Sequence, residues 1–188
     1  MRFAYADPPY LGCGRLYAKH HPEAMIWDDP ETHRALIQRL CDEYPDGWAM
    51  SLHVPSLRVL LPMCPDDARI SAWVKPPPWT TFPGLRVSYA WEPVIWRCGR
   101  KKYEGGAGHT IDWVSCGTYA TRPDNNDRGL IGGKPRTFCR WMFGLLGAEK
   151  GDTLDDLFPG TGAVTAAWRE WVGERDPNPL PLEMAANA

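Results

Sequence analysis

An α/β domain with a mostly parallel sheet and helices on both faces is predicted by three observations. Short apolar runs of strand length alternate with segments whose apolar residues recur at helical spacing, in the order strand, helix, strand, helix, strand, strand. At least one run, 48–52, is short and apolar enough for a buried strand, as parallel sheets covered on both faces require. The chain has 188 residues, 44% of them hydrophobic, which suits one domain with a real core and leaves no room for a second full one.

The first strand is Phe3-Ala4-Tyr5-Ala6, ending in Asp7-Pro8-Pro9-Tyr10. Two prolines fix φ and remove two N–H donors, so the backbone carbonyls stay available to a ligand while the acid and the ring are held in place. Read alone, this is also an ordinary proline turn. Residues 11–28, with Gly12, Gly14, His20, His21 and Pro22, show no sustained period and read as a loop; beside a reactive turn, such a loop often contacts substrate. Adjacent histidines rarely reach one ion together, and no metal site is predicted.

Asp29-Pro30 starts a helix, with an acidic N-cap and proline at the first helical position. Its apolar face is Leu36, Ile37, Leu40, Cys41 and Tyr44, and Pro45-Asp46-Gly47 stops it. After strand 48–52, Pro55 opens a helix with Leu57, Leu60 and Leu61 on one face, closed by Pro62 and Pro65. Residues 70–74 read as a strand, Pro76-Pro77-Pro78 as a stiff turn, and 87–96 as a longer strand; these last two strands are expected to form an antiparallel edge pair.

From 99 to 133 the pattern breaks down into turn chemistry, Gly105-Gly106, Asp124-Asn125-Asn126-Asp127 and Gly132-Gly133, and reads as an irregular insertion. A helix resumes after Lys134-Pro135 with Phe138, Trp141, Met142, Leu145 and Leu146 at core spacing and Gly147 as its stop. Residues 153–158 then read as a strand, Gly160-Thr161-Gly162 as a turn and 163–171 as a helix. Residues 1–176 are thus expected to form one domain and 177–188 a frayed tail.

Net charge is −2, unevenly placed: residues 97–140 contain nine Lys/Arg against four acids, a local +5 on a body of −7. Such a stretch is either a polyanion footprint or a solvated loop. Six cysteines occur without a C-x-x-C pair, which excludes a zinc ribbon or a dithiol redox motif and suggests reduced, mostly buried thiols. No signal-peptide pattern and no membrane-length apolar run occurs, so a cytoplasmic protein without membrane contact is expected.

A strand ending in G-x-G and entering a helix brings bare backbone N–H groups and a helix N-terminus to a ligand. No Lys-Ser/Thr follows, so the turn is not a P-loop, and the third glycine of a dinucleotide fingerprint is missing. Combined with Asp7-Pro8-Pro9-Tyr10, however, Phe158-Pro159-Gly160-Thr161-Gly162 resembles the amino-group DNA methyltransferases that use S-adenosylmethionine. The order, catalytic motif first and cofactor motif last, is similar to the permuted beta class, as are Lys134-Pro135 before a helix and Gly151-Asp152 at a strand start.

The resemblance implies a Rossmann-like S-adenosylmethionine-dependent methyltransferase fold, shortened on its C-terminal side. It assigns Asp7, Pro8, Pro9 and Tyr10 to catalysis, and Asp156, Phe158, Gly160, Thr161, Gly162, Lys134 and Pro135 to S-adenosylmethionine. The family's ribose-binding acid has one candidate here, in Val172-Gly173-Glu174. With no separate recognition domain, the basic insertion, represented by Arg100, Lys101 and Lys102, would read DNA. The implied reaction is methylation of the N6 amine of a flipped adenine, with a homodimer as one way to complete the cofactor pocket. Other readings stay open: a degenerate member that binds nucleic acid or a partner without activity, or an amine methyltransferase acting on N4-cytosine, RNA or protein glutamine.

Overall fold

The first strand, β1 (Arg2–Ala6), is buried on both faces, and the layers of the protein follow from where its side chains go. Phe3 and Tyr5 enter one core cluster, Ala4 and Ala6 the other. This is the period-2 alternation of a strand with helices above and below it. The computed structural model describes residues 1–18, 21–77, 86–100, 109–117 and 133–173. The remaining elements are α1 (Pro30–Glu43), β2 (Gly47–Ser51), α2 (Val54–Leu60), β3 (Arg69–Val74), β4 (Trp91–Cys98), β5 (Trp113–Ser115), α3 (Arg136–Leu145), β6 (Thr153–Asp156) and α4 (Ala163–Val172).

The six strands form one sheet in the order β5-β3-β4-β2-β1-β6. Pairings β1–β2, β1–β6 and β3–β5 are parallel, while β4 runs antiparallel to both β2 and β3. This is the predicted mostly parallel α/β sheet, with only β4 reversed. The first two helices cover one face through Leu36, Ile37, Leu40 and Leu60. The last two cover the other through Phe138, Met142, Phe143, Val164 and Trp168.

Local chemistry sets the helix ends as expected. Asp29 accepts a hydrogen bond from the Glu31 N–H at 2.9 Å, with Pro30 in the first turn of α1. Gly147, just past α3, has φ +63°, and its N–H donates to the Gly144 carbonyl.

Four expectations change. The two strands expected to form an antiparallel edge pair do pair, with Ser71 opposite Val94, but β4 lies between β3 and β2, inside the sheet. Its Val94 and Ile95 are wholly buried on opposite faces, which an edge position would not require. The 99–133 stretch is not irregular throughout, because β5 lies in it; three residues among turn formers give no readable period. The 11–28 stretch contains two short 3-10 segments, Gly14–Leu16 and Pro22–Asp28. Only Cys139 is fully buried, the other five thiols being half-buried, and none is in a disulfide. Residues 101–108, 118–132 and the expected tail lie outside the described residues.

Phe138 anchors the α3 side, its ring centroid 4.8 Å from Trp73, 5.7 Å from Trp141 and 6.1 Å from Tyr5. Phe138→Ala is expected to cost about 3–5 kcal/mol, because a wholly buried ring leaves a cavity that three neighbouring rings cannot close. A urea unfolding midpoint unchanged from wild type would contradict that placement.

Candidate functional site at the carboxyl edge of the sheet

In open α/β sheets, ligands bind beyond the carboxyl ends of the strands where the connections diverge to opposite faces. That divergence occurs here between β1 and β6. From β1 the chain proceeds to α1 on one face, and from β6 to α4 on the other. The two sequence motifs stand on the lips of this crevice. Asp7-Pro8-Pro9-Tyr10 leaves β1, and Phe158-Pro159-Gly160-Thr161-Gly162 follows β6, whose Asp156 lies opposite Tyr5.

Asp7 Oδ2 lies 2.7 Å from Lys134 Nζ, and Lys134 is only 4% exposed against 20% for Asp7. The ammonium also sits 5.3 Å from the Trp73 ring centroid and 5.8 Å from that of Phe138. Burial pushes the Asp7 carboxyl above its ordinary pKa, and the Lys134 charge and hydrogen bond pull it back. Among the described residues Asp7 Oδ1 has only a long 3.4 Å contact with the Tyr10 hydroxyl, leaving acceptor capacity. No described backbone N–H reaches the carbonyl of Pro8, so both groups on this lip can accept from an amine.

On the other lip, Gly160 has φ +47° and Gly162 φ +76°, values that disfavour any side chain. A Cβ at Gly162 would meet nothing within 4 Å, so the space before α4 is open. Gly162 is the N-cap of α4, whose first-turn N–H groups have no partner within the helix. Asp156 accepts from the Thr165 hydroxyl at 3.3 Å through Oδ2, whereas its Oδ1 is buried without a hydrogen-bond partner. Burial raises the Asp156 pKa, with the Phe158 N–H and Thr165 opposing. Phe158 meets the edge of Trp27 at 5.1 Å.

Other predicted site residues fall elsewhere. Pro135 is the N-cap of α3, and its carbonyl accepts from Cys139. Lys134, grouped in sequence with the glycine turn, pairs with Asp7, and its charge also acts on Asp156. Arg100, expected to contact nucleic acid, donates to the Gly147 carbonyl at 2.6 Å and pairs with Asp152 and Glu149 at 3.1 Å each. It is 18% exposed and acts as a strut between the end of β4 and the turn before β6. Lys101 and Lys102 lie outside the described residues. Of the other described cations in the basic stretch, Arg97 pairs with Asp67, Arg136 with Glu170, and Arg140 lies over Trp171. Val172 closes α4 and Gly173 is its C-cap, and Glu174 lies outside the described residues.

Three residues at the site were missed. His53 follows β2, Lys75 follows β3, and Glu92 is the second residue of the reversed β4, which therefore enters the sheet at the edge where the others leave. Tyr10 donates to Glu92 Oε2 at 3.0 Å and stacks on His53, and Lys75 pairs with Glu92. The signal in sequence was a lone acid near the start of a largely apolar strand; the two basic residues could be found only once strand ends were known. Among the described residues, no group of three His, Cys, Asp or Glu side chains could hold a metal ion, and no helix is long and apolar enough to cross a membrane.

No protein-family model and no curated protein sequence matches the chain. Solved structures do. The crystal structure of the M1.HpyAVI–SAM complex superposes with TM-score 0.53 at 12% identity, over 92% of this chain and 78% of that one. TTHA0409 from Thermus thermophilus, assigned as a DNA modification methylase, gives TM-score 0.55 at 15% identity, over 93% of this chain and 78% of its own. At this identity the likeness establishes the fold: a Rossmann-like α/β domain of the type found in DNA methyltransferases.

Replacing the ammonium behind Asp7 gives a direct test of the local electrostatics. In Lys134→Met the Asp7 carboxyl is expected to titrate at higher pH than in wild type, since the opposing charge is gone and the burial remains. Carbon-13 NMR of the Asp7 carboxyl measures this, and an unchanged titration would remove Lys134 from the account.

Proposed function

We propose that the protein is an S-adenosylmethionine-dependent DNA methyltransferase that modifies the N6 amine of an adenine taken out of the helix. The observation that carries this reading is the crevice between β1 and β6, with an acid, a proline carbonyl and an aromatic ring on one lip and a glycine turn entering α4 on the other. The fold shared with the M1.HpyAVI–SAM complex and with TTHA0409 supports it.

The residues present fit the cofactor. Among the described residues the buried Oδ1 of Asp156 has no hydrogen-bond partner, and the left-handed Gly160 and Gly162 lead into α4, whose first-turn N–H groups have no partner within the helix. Asp156, Phe158, Gly160, Thr161 and Gly162 would hold S-adenosylmethionine, which supplies a methyl group on a sulfonium and hence an electrophile. Lys134, in this reading, keeps Asp7 ionised. Pro135 acts through the start of α3.

The chain's own part is positioning and electrostatics. An exocyclic adenine amine is a poor nucleophile because its lone pair is delocalised into the ring. Asp7 and the Pro8 carbonyl accept its two N–H groups, which favours localisation of the lone pair toward the methyl donor without a covalent intermediate. Tyr10 provides a stacking surface for the extruded base. Ionised Asp7 is the stronger acceptor, so activity falls with acid through a pKa raised above the ordinary aspartate value, and the acid limb lies at higher pH than a solvent-exposed carboxylate would give.

Mass spectrometry of nucleosides from mixed-sequence DNA incubated with protein and S-adenosylmethionine should reveal N6-methyladenine. N4-methylcytosine would correct the base, and methyl transfer confined to RNA or to protein glutamine would replace the acceptor. No transfer and no saturable cofactor binding would leave a binding protein without activity. Asp7→Asn should lower transfer by about 10²-fold or more while leaving cofactor affinity unchanged. Asp7→Ala is the poorer test because it leaves the buried Lys134 ammonium without a hydrogen-bond acceptor as well as without a counter-charge, whereas Asn keeps the acceptor. Asp156→Ala should weaken cofactor binding by about tenfold or more, read by calorimetry.

A further inference from the structure

We infer that His53 and Glu92 are positioning residues that make Tyr10 a one-sided stacking platform, so that the slot beside Asp7 takes a single planar, amine-bearing base against the face turned away from His53. The inference deepens the proposed function and rests on it. Tyr10 is fixed at three points. Its carbonyl accepts from the Cys13 N–H at 2.8 Å, its hydroxyl donates to Glu92 Oε2 at 3.0 Å, and its ring lies on His53 with centroids 5.5 Å apart and planes 12° from parallel. Among the described residues no other ring is in stacking contact with it.

Both supports are themselves held. His53 Nδ1 is 2.7 Å from the hydroxyl of buried Ser56, and the His53 carbonyl accepts from the Ser56 N–H, so the first turn of α2 fixes backbone and ring together. Glu92 is anchored through its other oxygen by Lys75, whose ammonium lies over the buried Trp73 ring at 4.8 Å. The histidine pKa is lowered, chiefly by burial, with the Glu92 charge opposing. A ring held in this way loses no rotamer freedom when a base arrives, and with His53 on one face a second stack falls on the other.

The test uses the full chain with two paired substitutions. His53→Leu keeps bulk without a flat ring, and His53→Phe keeps the ring; Glu92→Leu removes the acceptor for Tyr10, and Glu92→Gln keeps one. Methyl transfer to mixed-sequence DNA is measured for kcat and KM, cofactor affinity by calorimetry, and stacking by fluorescence quenching of single-stranded DNA containing 2-aminopurine. The two leucine variants should lose about tenfold in kcat/KM for DNA and most of the quenching, at unchanged cofactor affinity, with Phe and Gln recovering most of both. Leucine variants equal to wild type, or losses shared by cofactor binding and not recovered by Phe and Gln, would overturn the inference. A wild-type protein that quenches 2-aminopurine in a His53-dependent way but transfers no methyl group would sink the methyltransferase reading and leave the platform standing.

Discussion

The ion pair between Asp7 and Lys134 is the interaction on which the site depends. A carboxylate just past a strand buried from Phe3 to Ala6 loses hydration, which pushes its pKa up, and an opposing charge pulls it back. Lys134, almost without solvent contact and seated against Trp73 and Phe138, supplies that charge from the loop entering α3. The electrostatics of the crevice are therefore tied to the aromatic core behind it. Any shift of α3 against β1 moves the ammonium as well as the packing.

Sheet topology explains how residues remote in sequence reach one place. Parallel strands β1, β2, β3 and β6 all release their chains at the same edge, which brings Asp7, His53, Lys75 and the glycine turn together. Reversal of β4 has an equivalent effect by the opposite route, since its N-terminal residues begin where its neighbours end. Glu92 thereby faces Tyr10 across 82 positions of sequence.

Charge is distributed differently from its linear pattern. The described cations of the basic 97–140 stretch meet partners inside the protein, with Arg100 bridging Asp152 and Glu149 and Lys134 serving Asp7. The same local excess that suggests a polyanion footprint thus supplies, among the described residues, two structural charges and two surface pairs. Exposed pairs of this kind contribute little stability each, whereas the two partly buried ones hold elements in register.

The sequence by itself determined the alternation of strands and helices, the capped start of α1, the glycine stop of α3, and the two turns that flank the crevice. Each depends on short-range constraints: proline and glycine restrict φ locally, and apolar period reports burial on a face. Only the tertiary structure decided that β4 lies inside the sheet, that β5 exists, that Lys134 serves Asp7, and that Arg100 is a strut. Strand order, ion pairing and ring stacking are set by long-range packing of faces, for which a linear pattern has no coordinate. For the Asp7-Pro8-Pro9-Tyr10 turn, its rigidity was legible in its own residues, while the lysine, the glutamate and the histidine that define its chemistry came from three other elements.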